Sequence, residues 1–146
     1  MKKIEIIGFM MLLLFAYNIL SVYSEDPGFT VSGEITFKKQ HAITVEIINK
    51  KEYDDNLPSI YSTIISLDED AIELGKVSFS VTGVPAGKYI VKVYQDLNDN
   101  GKFDFSLVGG DPLGTYKKPG FTLGRPSFKK LSFTLGKDLS GITIKL

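Results

Sequence analysis

The sequence predicts an all-β fold, an antiparallel β-sandwich of six to eight short strands preceded by an N-terminal signal helix. Three observations point there. From residue 28 onward, apolar residues recur at every second position in run after run, the period of a half-buried strand. Gly, Pro, Asn and Asp gather between the runs, where turns belong. No stretch after residue 25 keeps apolar residues at i, i+3, i+4 and i+7 for three turns, so no long helix is expected.

The first element is the leader. Lys2 and Lys3 open the chain, and an apolar run follows from Ile6 to Leu20, interrupted by Gly8, Tyr17 and Asn18. Val22-Tyr23-Ser24 then offers small or β-branched residues at the places a signal peptidase reads. A membrane-spanning helix needs roughly 20 apolar residues, and this run is shorter. Cleavage is therefore expected after Ser24, with residues 25–146 left as one domain in the periplasm or outside the cell. About 120 residues is close to the commonest domain size and can bury a modest core.

The strands follow in order. Phe29, Val31, Gly33, Ile35 and Phe37 share one face of the first, with Thr30, Ser32, Glu34 and Thr36 on the other. The second turns Ile43, Val45 and Ile47 inward and Thr44 and Glu46 outward. Segment 51–59 is polar, contains Pro58 and reads as a loop; Tyr61 to Leu67 reads as a third strand. Asp68 to Gly75 is acidic and fits a turn or one short helical turn. Val77, Phe79 and Val81 alternate again, and residues 83–87 make a tight connection. Tyr89, Val91 and Val93 alternate with Ile90, Lys92 and Tyr94, which suggests a strand covered on both faces. A long Gly- and Pro-rich loop runs from Asp96 to about Ser127, with a short edge strand conceivable at 121–123. Two closing strands are read at Leu131/Phe133/Leu135 and Ile142/Ile144/Leu146. The tetrapeptide Phe-Thr-Leu-Gly stands at both 121 and 133, a coincidence of strand-end composition rather than a repeat.

Composition narrows the chemistry. Lys plus Arg and Asp plus Glu both number 17. Removing the leader takes Lys2, Lys3 and Glu5, which leaves fifteen cations against sixteen anions. Nucleic acid wants a basic surplus, so it is not an expected partner. No run of consecutive cations suits anionic lipid, and no membrane partner is expected once the leader is gone. The chain has no cysteine, which excludes disulfides, thiolate zinc sites, thiol catalysis and lipid attachment at an N-terminal cysteine. His41 is the single histidine, too few for a histidine metal site and a poor start for Ser-His-Asp chemistry.

One loop carries chemically loaded residues. Residues 96–104 read Asp-Leu-Asn-Asp-Asn-Gly-Lys-Phe-Asp. Asp96, Asn98, Asn100 and Asp104 take places 1, 3, 5 and 9 of a calcium loop, with Gly101 at 6 and the Lys102 carbonyl as backbone ligand. Calcium takes six to eight hard oxygens, and alternate residues of a tight loop can aim them inward. Place 12 holds Leu107 where a bidentate Glu belongs, and no helices flank the loop, so this is no EF-hand. Asp111 stands further on as a substitute ligand. Weak affinity is expected from two carboxylates. Asn100-Gly101 is also a strong turn dipeptide by itself, so a plain polar turn accounts for the same residues.

Other constellations are weaker. The pairs Asp96/Asp104 and Asp54/Asp55 and the cluster Asp68/Glu69/Asp70 could serve hydrolysis only with one carboxylate in an apolar pocket. Such runs usually sit on solvated turns. Tyr94, Phe103, Phe105 and Tyr116 could form a carbohydrate-stacking platform if exposed on one face, though aromatics more often pack inside.

The segment from Val84 to Leu146 resembles the bacterial family catalogued as domain of unknown function 2141. The carrying motifs are Val84-Pro85-Ala86-Gly87-Lys88-Tyr89, then Asp96-x-Asn98-x-Asn100-Gly101-Lys102-x-Asp104. Gly109-Gly110-Asp111-Pro112-Leu113-Gly114, Pro126-Ser127-Phe128 and the Phe133 strand follow in order. The first half matches as generic strands. The resemblance implies an exported Ig-like or transthyretin-like sandwich, akin to carboxypeptidase-regulatory modules, with no established activity. The family's loop is usually richer in Gly-x-Pro-x-Glu after the Asp/Asn run, where this chain has Asp111-Pro112-Leu113.

The expectation is thus a monomeric, non-catalytic binding or accessory module that meets a protein or glycan at the cell surface or in the periplasm. Calcium is its expected cofactor, and residues 105–127 its expected recognition surface, since loops on rigid sandwiches carry recognition. A carbohydrate-binding module is the alternative, and a carboxylate hydrolase stands last.

Overall fold

The computed structural model describes residues 27–106 and 108–146. The leader and its cleavage place lie outside these residues. The elements run β1 (Phe29–Thr36), β2 (Ile43–Ile48), α1 (Lys50–Asp54), β3 (Ser62–Ile65), α2 (Glu69–Leu74), β4 (Lys76–Val84) and β5 (Gly87–Gln95). They continue with β6 (Leu113–Thr115), α3 (Phe128–Leu131), β7 (Phe133–Leu135) and β8 (Leu139–Lys145). A three-stranded sheet, β4-β1-β8, faces a five-stranded one, β3-β2-β5. Both β6 and β7 pair with the far edge of β5, β6 at Lys92–Tyr94 and β7 at Gly87–Tyr89. The mostly-β sandwich read from the sequence is the fold observed. One pair is not antiparallel: β8 runs parallel to β1.

Alternation builds the core. Val31 and Ile35 of β1, Val45 and Ile47 of β2, and Val91 and Val93 of β5 are all fully buried between the sheets. The outer face of the five-stranded sheet is covered as well. There Ile48 and Ile90 meet Phe128 and Leu131 of α3, with Tyr53 of α1 against them. This second small core is why β5 is buried on both faces, as its continuous apolar run suggests.

Four local readings need correction. Residues 50–54 are helical rather than loop, because Asn49 and Glu52 form a capping box. Asn49 Oδ1 accepts from the Glu52 N–H at 3.0 Å, and Glu52 Oε2 accepts from the Asn49 N–H at 2.9 Å. Leu131 ends α3, so the strand after it begins only at Phe133. The long loop contains β6, pinned to β5 by Gly114 opposite Val93. Residues 121–123 are not a strand; they stand clear of both sheets. The acidic stretch at 68–75, by contrast, takes the helical one of the two forms expected for it: it is the short helix α2, capped by Asp68, whose Oδ1 accepts from the Ala71 N–H at 2.8 Å.

Candidate functional site

The 96–111 loop leaves β5 directly after Gln95, a fully buried residue whose N–H donates to the Pro112 carbonyl. Gln95 also ties the β1–β2 turn: its Nε2 donates to the Lys39 and His41 carbonyls, each at 2.8 Å. The next residue starts the loop. Asp96 Oδ2 accepts from the Gly101 N–H at 2.6 Å, and its Oδ1 from the Asn100 N–H at 3.2 Å. Gly101 sits at φ +76°, a conformation that favours glycine. Asn98 Oδ1 accepts from the Asn100 N–H and Asn100 Oδ1 from the Lys102 N–H, the self-bonding turns these residue types make.

Three of the sequence-read site residues converge. Asn98 Nδ2 and Asn100 Nδ2 both donate to Asp104 Oδ2, at 2.9 and 2.5 Å. Asp104 thus faces amide nitrogens, and a half-turn of each amide would present oxygens instead. Lys102 enters through its N–H to Asn100, with its side chain in solvent. Among the described residues, no group of three or more His, Asp or Glu side chains is placed to hold a metal ion.

Asp111 has a different role from the spare ligand the sequence suggested. Its Oδ1 accepts from the Leu97 N–H at 2.9 Å and its Oδ2 from the Asp104 N–H at 2.8 Å. The Asp111 N–H in turn donates to the Asp104 carbonyl. One carboxylate therefore closes the base of the loop by satisfying two backbone donors, a charge-assisted pairing stronger than a neutral one.

The aromatic platform does not form. Tyr94 is buried, and Phe103 packs edge-on against it at 5.7 Å. Tyr116 packs edge-on against Phe133 at 5.6 Å. Only Phe105 of the four is well exposed. The acidic clusters are likewise accounted for: Asp54 and Asp55 pair with Lys50 and Lys51 one helical turn back, and Asp68 caps α2.

The sequence missed a part-buried ion pair. Glu46 and Lys92 face each other across β2 and β5, with Lys92 Nζ 2.9 Å from Glu46 Oε2. The same ammonium lies 4.6 Å from the Tyr94 ring centroid and 4.9 Å from that of Phe103. Cross-strand alternation puts both residues on the outer face, where Tyr94 of the same strand and Phe103 of the 96–111 loop lie against the ammonium. The Tyr94 hydroxyl is pushed above its usual range by burial first and by the Glu46 charge second, with a hydrogen bond to Thr44 pulling the other way.

Beyond β6 the chain runs out from the sheet edge and returns. It departs at Tyr116, whose N–H donates to the Val91 carbonyl. It returns at Arg125 and Pro126, both held by Tyr53. Arg125 stacks on the Tyr53 ring at 3.9 Å and donates to its carbonyl, while the Tyr53 hydroxyl donates to the Pro126 carbonyl at 2.6 Å. Between these roots stand Phe121 and Leu123, exposed by 90% and 92%.

Residues 19–143 match the model of a family described as an uncharacterized protein conserved in bacteria, DUF2141. This chain belongs to that family. The DUF2141 match reaches well upstream of the motifs at 84–146 and takes in β1 to β4, the strands that carried no distinctive motif of their own. No curated protein and no solved structure matches the chain.

Proposed function

We propose that this DUF2141 chain is an exported, non-catalytic β-sandwich module that binds a partner at the cell surface or in the periplasm through residues 105–127. In this reading the 96–104 loop takes up calcium weakly, through Asp96, Asn98, Asn100, the Lys102 carbonyl and Asp104, and stiffens the segment that follows. The observation that supports it is the convergence of Asn98, Asn100 and Asp104 on one point of a loop whose base Asp111 already closes. The exposed side chains Phe105, Val108, Phe121 and Leu123 on the same connection support its role in recognition.

Thermal unfolding with calcium and with chelator tests the ion. A site of about 10⁻³ M affinity in about 10 mM calcium adds about 1.4 kcal/mol, or roughly 5 °C for a domain this size. Asp96→Ala should erase the shift, and trypsin should cut after Lys102 more slowly when calcium is present. A melting point indifferent to calcium would reduce the loop to a polar turn.

A further inference from the structure

We infer that the rooted loop 117–124 is a docking tip for an anionic lipid surface, with Phe121 and Leu123 entering the bilayer interface and the surrounding cations holding the headgroups. The inference rests on the reading of residues 105–127 as the working surface and names what that surface meets. Two observations on this stretch carry it, one of charge and one of shape.

The charge observation is hidden by the balanced total. Between Asp111 and Asp138 the chain carries Lys117, Lys118, Arg125, Lys129, Lys130 and Lys137 and no Asp or Glu. The rest of residues 25–146 holds nine cations against sixteen anions. Among the described residues, none of these six cations takes part in an ion pair, as is also true of Lys38, Lys39, Lys88, Lys102 and Lys145; what sets the segment apart is that it holds no carboxylate. The cations are separated by Pro, Gly and apolar residues, so no consecutive run announces them. The fold brings five of them to the two roots of the loop: α3 buries Phe128 and Leu131 and leaves Lys129 and Lys130 in solvent, next to the Arg125 root. Lys117 and Lys118 flank the other root, where Tyr116 packs on Phe133 just beyond α3.

The shape observation concerns the tip. Scattered exposed leucines are ordinary on a protein surface. Here a Phe and a Leu, two residues apart, stand nearly free of the protein on a loop whose two ends are fastened to β5 and to Tyr53. Two isolated apolar side chains on a projecting loop make a poor flat protein interface, which wants a broad packed centre. They make a good wedge for a bilayer interface, where apolar burial and attraction to anionic headgroups add. Among the described residues no helix is long and apolar enough to cross a membrane.

The chain has no tryptophan, so Phe121→Trp supplies a single local reporter. The test uses residues 25–146, the form left once the leader is removed, carrying that substitution, with vesicles of equal parts phosphatidylglycerol and phosphatidylcholine, and with phosphatidylcholine alone. The tryptophan emission should shift to the blue on the anionic vesicles and return as salt is raised. Adding Lys117→Glu and Lys118→Glu should raise the lipid needed for half-saturation about tenfold or more, and Leu123→Ser should raise it by about the same factor. Both changes fall on exposed positions and should leave the melting point in place. An unshifted emission on anionic vesicles would overturn the inference, even if the protein sediments with them through another segment. A shift of equal size on neutral vesicles, unmoved by the charge changes, would overturn it too, as would capture of an acidic protein by the tip without any shift on lipid. The calcium titration reads a different loop, so either result can fail while the other stands.

Discussion

Glu46 and Lys92 show how a single pair can bind three parts of this molecule together. The Glu46 side chain is 7% exposed, and a carboxylate so placed needs a partner, because desolvation of a lone charge costs several kcal/mol. Lys92 supplies it, and its ammonium also lies over Tyr94 and Phe103, so the pair links β2, β5 and the 96–111 loop. Removing one partner strands the other. Lys92→Met should therefore cost about 3 kcal/mol, read as a fall in the urea midpoint. The double variant Glu46→Leu with Lys92→Met should recover most of that loss, since an apolar pair of similar volume often replaces a buried ion pair without penalty. A double variant as unstable as the single one would show that the outer face needs the charges for another reason. The alternation of β2 and β5 already placed both residues on one face. It could not reveal the contact with Phe103, which the 96–111 loop brings over Lys92.

Among the elements, β1 is the most constrained, since it lies between β4 and the parallel β8. Gly33 marks their closest approach: a Cβ there would stand 2.1 Å from the Ile142 carbonyl oxygen. A contact that short with backbone forces a strand to move. Gly33→Ala should destabilise the protein by about 3 kcal/mol, measured by urea unfolding, with the loss concentrated in slower-exchanging amides of β1 and β8. Most strands were legible because period two survives in a half-buried sheet. What the pattern could not decide is shown by the two copies of Phe-Thr-Leu-Gly. At 133 the tetrapeptide forms β7, with Leu135 buried; at 121 it stands exposed with no strand partner. Identical local preference gave different structures because only the second copy lies alongside the Gly87–Tyr89 edge of β5. Likewise β6 is three residues long and reads as loop, since its pairing is set by β5 and not by its own composition. The helix at 50–54 was legible in principle, since Asn49 and Glu52 stand at capping-box spacing; the polar composition of 51–59 and Pro58 point instead to a loop. The candidate site was read residue by residue from spacing alone. The double clamp by Asp111 was not, because nothing in the spacing says which backbone donors a distant carboxylate will meet.

At the scale of the whole molecule, stability rests on one sandwich core and one smaller outer core, with no disulfide to hold either. Strand β5 joins the two cores, and it carries a tyrosine into each face: Tyr89 toward the sandwich interior and Tyr94 toward the outside of the sheet. Both hydroxyls are pushed above the ordinary tyrosine range, and burial is the leading cause for each. For Tyr89 the neighbouring Tyr61 and Glu52 act in the same direction. A tyrosine is charged only after it loses its proton, and the folded state resists that loss more than the unfolded chain does. Below the unfolded value, near pH 10, both states hold the proton and stability is unaffected. Above it the unfolded chain releases protons that the folded protein still binds, so stability falls as pH rises through the folded values. The slope is at most about 1.4 kcal/mol per pH unit for each group. Urea midpoints followed from pH 8 upward should hold level and then drop above about pH 10. Tyr94→Phe should flatten the drop while keeping the ring that Lys92 and Phe103 pack against, and Tyr89→Phe should flatten it further. If the double variant loses stability as steeply as the parent, the alkaline weakness lies outside β5, and the strand is not the element through which the two cores fail together.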